Sequence, residues 1–99
     1  MSQPRTERAI VTAPSRPALP RHVKLRHDAA RDTWTILAPE RVFTPDAIAA
    51  DVLRMCDGAR TVDDIAAELA QSYNAPRQRI LADVTSMLQE LADKGVVQV

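Results

Sequence analysis

The hydrophobic residues of this chain change their period once, near Pro45, and that change limits it to a small sheet followed by helices. Before it, Val23 and Leu25 alternate with Lys24 and Arg26, and Trp34 and Ile36 alternate with Thr33 and Thr35. Period two describes half-buried strands, so the polar stretch Asp28–Asp32 reads as the turn of a β-hairpin. Pro39 and Glu40 make a second corner, and Arg41–Thr44 is then a short third strand beside the second.

After Pro45 the spacing is helical. Thr44 is the expected N-cap, with Pro45 at the first helical position and Asp46 in the first turn. Ile48, Val52 and Cys56 form the expected buried stripe, and Gly58 the stop. Thr61-Val-Asp-Asp64 reads as a capping box with aspartate in place of glutamate, and Ile65, Leu69 and Tyr73 follow at four-residue intervals. Asn74 and Pro76 separate this second helix from a third, in which Ile80, Leu81, Val84, Met87, Leu88 and Leu91 share a face. Gly95 ends it, and Val96–Val99 adds a short strand or packs under the helices. The fold class is therefore α+β, a three-stranded antiparallel sheet followed by three helices in a winged-helix-like order.

Ninety-nine residues, 45% of them hydrophobic, suit one domain with a modest core. A single cysteine cannot form an internal disulfide, and no apolar run approaches a signal peptide or a membrane span, so the expected location is cytoplasmic. Residues 1–20 hold Pro4, Pro14, Pro17 and Pro20 without helical or strand periodicity. They are expected to form a disordered arm or linker before a domain over 21–99. Charge divides in the same way. Up to Arg26 six bases face one acid, whereas from Glu40 onward ten acids face six bases.

The stretch RMCDGARTVDD holds the residues most suggestive of chemistry, yet each has a structural explanation. Cys56 lies on an apolar stripe, four residues from Val52, where cysteine behaves as a small buried hydrophobe. Asp57, Asp63 and Asp64 stand where helix termini take carboxylates. His22 and His27 with one cysteine are too few for a structural zinc site, and the two glycines, Gly58 and Gly95, build no phosphate loop. Neither catalysis nor a bound metal is expected.

Three segments carry a resemblance over about residues 21–99: LAPERVF (Leu37–Phe43), VLRMCDGARTVDDIAAEL (Val52–Leu69) followed by Tyr73, and DVTSMLQELADKGVV (Asp83–Val97). In these the chain resembles the PqqD family of pyrroloquinoline quinone (PQQ) biosynthesis, and through it the leader-peptide recognition domains of peptide-modifying pathways. Thr44-Pro45-Asp46 departs from the Leu-Asn pair often found at the entry to that family's first helix. The resemblance implies a non-catalytic peptide chaperone, without a cofactor, that binds the precursor peptide PqqA and presents it to the radical S-adenosylmethionine enzyme PqqE. Some members are fused to PqqC, and residues 1–20 would suit such a tether. Neither a nucleic acid nor a membrane is an expected partner.

Edge-strand geometry suggests where a peptide would sit. Val42, Phe43 and Thr44 are the candidate residues for strand addition, because a short terminal strand leaves half its backbone groups unpaired. Leu81, Val84, Met87 and Leu88 are the candidates for a neighbouring groove, since the apolar face of the third helix is about 120° wide at helical spacing. The alternative is a DNA-binding winged helix. It would need bases along the third helix, which carries Arg77 and Arg79 at its start and then Asp83, Glu90 and Asp93.

Overall fold

The computed structural model describes residues 10–39 and 41–99. Its strands are β1 (Lys24–Asp28), β2 (Thr33–Ala38) and β3 (Arg41–Phe43), and its helices α1 (Ala47–Arg54), α2 (Val62–Tyr73) and α3 (Arg77–Asp93). Sheet order follows chain order, β1-β2-β3, with both pairings antiparallel. Leu25 stands opposite Ile36, and Ile36 opposite Phe43, so these three share the face that packs on the core. Lys24, Leu37 and Val42 form the next row and point to the other face. Asp32 closes the hairpin at a φ of 51°, a conformation that aspartate tolerates in turns. Glu40, placed at the second corner, lies outside the described residues.

The helices pack around Val52, Leu53, Val62, Ile65, Leu69, Val84 and Leu88, all buried. Thr61 and Asp64 form the expected reciprocal capping box. Asn74, in the left-handed conformation, ends α2 and Pro76 opens α3. Two expected boundaries move. The N-cap of α1 is Asp46, not Thr44: its carboxylate accepts from the Ala49 N–H at 2.8 Å, so Pro45 precedes the helix. A charged acceptor favoured by the helix dipole displaces a hydroxyl two residues earlier. The helix also stops at Arg54, four residues before the expected stop at Gly58, with Met55 as its C-cap. Gly58 does adopt a φ of +80°, but it serves a different contact: its N–H donates to the Pro17 carbonyl at 2.9 Å.

That contact belongs to the largest departure from expectation. Residues 10–20 are not a loose arm but a strap across the helices, with Val11, Pro17 and Pro20 buried. Ala18 bridges Asp57 on one side and Gln98 on the other, exchanging two hydrogen bonds with Gln98 at 2.8 and 2.9 Å. The Val62 and Asp63 N–H groups donate to the Ser15 and Ala13 carbonyls at 2.8 and 3.0 Å. With the capping box satisfying Thr61 and Asp64, all four N–H groups that α2 cannot satisfy internally have acceptors. Proline lacks only a donor, so a proline-rich segment is suited to a role in which its carbonyls accept. Residues 1–9 of the expected arm lie outside the described residues.

Removing residues 1–18 should therefore lower the unfolding free energy by more than about 2 kcal/mol, the cost of exposing the core that Val11 and Pro17 cover. A urea titration measures this; an unchanged midpoint and slope would show that the strap is not part of the cooperative fold.

Candidate functional site

Among the described residues nothing pairs with the outer side of β3, so the sheet ends on a free edge. Consecutive strand residues direct their N–H groups to opposite sides, so one of Val42 and Phe43 offers its donor outward. Their side chains separate likewise: Phe43 is half-buried against the core, and Val42 is 66% exposed. Thr44 is exposed beyond the strand's end. An open edge of this kind is a template with which an extended chain can pair.

The four candidate residues of α3 do not form one open groove. Val84 and Leu88 are 1% and 0% exposed and belong to the core, while Leu81 and Met87 are half-buried on its margin. The accessible apolar space lies between the three helices. Ile48 of α1, Leu69 and Tyr73 of α2, and Ile80, Val84 and Met87 of α3 line a cleft of about 140 Å³, with Asp83 the one charged residue in its lining. Ile48 and Tyr73, expected on buried stripes, are 48% and 44% exposed. Helical period marks which face turns inward, but a stripe on a short helix can run off the end of its partner. Only packing shows where that happens. An exposed isoleucine beside an exposed tyrosine leaves apolar surface for a ligand to cover.

A chain of polar contacts holds one wall of the cleft. The Tyr73 hydroxyl donates to Asp51 Oδ2 at 2.6 Å. Asp51 Oδ1 pairs with Arg54, whose guanidinium lies 5.4 Å from the centre of the Trp34 ring, and that ring meets His27 at 4.6 Å. The Tyr73 hydrogen bond, aided by Arg54, holds the Asp51 carboxyl below the usual carboxylate range despite its partial burial, and the same bond raises the Tyr73 phenol. A residue pattern does not announce such a link, because Asp51 and Tyr73 are 22 positions apart.

Cys56 sits just past α1 rather than on it, but it is buried and its thiol donates to the Val52 carbonyl. Burial, reinforced by neighbouring Asp57, pushes the thiol up to about 12. Asp57 instead accepts from the Ala59 and Arg60 N–H groups, both at 2.9 Å, and turns the chain toward α2. At pH 8 Cys56 should thus resist a thiol reagent in the native protein and react on denaturation; stoichiometric labelling of the folded form would contradict its burial.

Arg77, a base that a DNA-binding reading would need, is paired with Asp63 at 2.6 Å. No helix among the described residues is long and apolar enough to cross a membrane.

Comparison with known proteins accords with these features. The family of coenzyme PQQ synthesis protein D (PqqD) matches residues 33–97. A PqqA binding protein of Bradyrhizobium diazoefficiens is 58% identical over 85 residues, covering 86% of this chain and 82% of that protein. The solution structure of the PqqD truncation of Methylobacterium extorquens PqqCD superposes with a TM-score of 0.78 at 43% identity, over 90% of this chain and 95% of that one. It represents a functional, stand-alone recognition element for ribosomally synthesized and post-translationally modified peptides. PqqD from Xanthomonas campestris superposes with a TM-score of 0.58 at 38% identity, over 90% of this chain and 99% of that one.

Proposed function

This chain belongs to the PqqD family, and from that premise we propose that it binds the precursor peptide PqqA in PQQ biosynthesis and presents it to PqqE. Its part is recognition, not catalysis. PqqC, to which the Methylobacterium extorquens relative is joined in PqqCD, would be a further partner by fusion or proximity. The observation that carries this reading is the free edge of β3, where an extended peptide gains main-chain hydrogen bonds in register with the sheet.

Val42 and Phe43 supply that edge, and Thr44 would extend it just past the strand's end. Side chains of the added strand would reach Leu81 and Met87 at the margin of α3, and the cleft that Met87 and Val84 line, while Leu88 lies beneath in the core. Phe43 precedes Ile48 by five residues, so the end of β3 and the cleft mouth are at most about 19 Å apart. About six residues of extended peptide span that distance. Main-chain pairing would supply affinity at the edge, and an apolar side chain in the cleft would supply specificity.

Proline in place of Val42 or Phe43, in separate variants, removes one backbone donor each, and one of the two donors faces the peptide. At least one variant should weaken PqqA binding about tenfold while keeping its circular dichroism spectrum, a loss equivalent to about 1.4 kcal/mol. If both remain folded and bind with unchanged affinity, strand addition at this edge is wrong. Presentation is tested separately, by following PqqE modification of PqqA with and without this protein; equal rates at sub-saturating peptide would remove it.

A further inference from the structure

Tyr73 is the last residue of α2, directly before the left-handed Asn74, at a point where a helix tends to fray. It is also the chain's one tyrosine and part of the cleft wall. A half-exposed ring in a terminal turn would sample several rotamers unless something held it. Here the phenol hydroxyl reaches back to Asp51 on α1, and Asp51 is in turn held by Arg54, which packs over Trp34 of β2. The ring is thus referenced to α1 and to the sheet, rather than to its own helix end alone. The cleft it bounds is about 140 Å³ and almost wholly apolar. An apolar cavity of about 150 Å³ accepts one benzene-sized group, so this cleft admits a single leucine- or phenylalanine-sized side chain.

We infer that Asp51 is a positioning residue: by holding the Tyr73 hydroxyl it fixes one wall of the cleft and so sets the cleft's fit for one apolar side chain of the bound peptide. This rests on the peptide-binding reading above and adds to it a residue that need not touch the peptide. The alternative is a surface hydrogen bond that binding does not sense, with the ring contributing only apolar area. The two differ in a measurable way. Tyr73→Phe keeps the ring and removes only the hydroxyl, so a role in apolar area alone leaves affinity intact. A positioning role does not.

The test is a double-mutant cycle on the full chain with synthetic PqqA, read by calorimetry. Tyr73→Phe and Asp51→Ala should each weaken binding about fivefold, the worth of one net hydrogen bond, and the double variant should be no weaker than either single one. Asp51→Asn retains an oxygen to accept from the phenol and should stay within about twofold of wild type. A second readout does not involve the peptide: the phenol of Tyr73, the sole tyrosine, should ionise at lower pH in Asp51→Ala than in wild type. Failure of wild type to bind PqqA would overturn the peptide reading, and this inference with it. Wild-type binding with unchanged affinity in Tyr73→Phe would overturn the inference alone. Additive losses in the double variant, or an unshifted phenol in Asp51→Ala, would likewise show that Asp51 does not act through Tyr73.

Discussion

The opening turn of α2 is the constraint on which the rest of this fold depends. A helix begins with N–H groups that have no partner within it, and leaving them unmet beside a core is costly. This chain meets two of them with its own capping box and the other two with carbonyls of Ser15 and Ala13. The segment that provides those carbonyls also covers Gly58 through Pro17 and pairs with Gln98 through Ala18. One strap therefore joins the start of the described chain, the α1–α2 connection and the C-terminal tail. With that frame closed, α2 and α3 hold the core, and the sheet can end on an edge that nothing in the described fold covers.

Period and punctuation were sufficient to read most of the architecture from sequence. Alternation at Val23–Leu25 and Trp34–Ile36, the Thr61–Asp64 box, Asn74 and Gly95 are local signals, and each acts where it stands. The strap was not readable in this way. Its contacts are single carbonyls offered to distant N–H groups, and these require no repeating side-chain pattern. The N-cap of α1 is ambiguous in sequence because Thr44, Pro45 and Asp46 all favour helix starts, and the structure uses the Asp46 carboxylate.

Candidate site residues divide along the same line. Val42 and Phe43 follow from strand order, a topological property, and the structure places them on the edge strand. The groove does not follow from an apolar face alone, because the inward half of that face, Val84 and Leu88, is used by the core. What remains available is decided by where α1 and α2 end against α3. Ile48, in the first turn of α1, and Tyr73, the last residue of α2, are left at the cleft mouth by the placing of those termini, which a single helix's pattern does not contain.

If PqqA adds to β3 as a strand, one backbone amide now open on that edge must become hydrogen-bonded. Amide hydrogen exchange by NMR, with and without saturating PqqA, measures this directly. The account predicts that whichever of Val42 and Phe43 directs its N–H outward slows its exchange by about tenfold or more on binding, while the donor already paired to β2 changes far less. Saturated binding with both amides exchanging as in the free protein would contradict it, and would place the peptide elsewhere on the molecule.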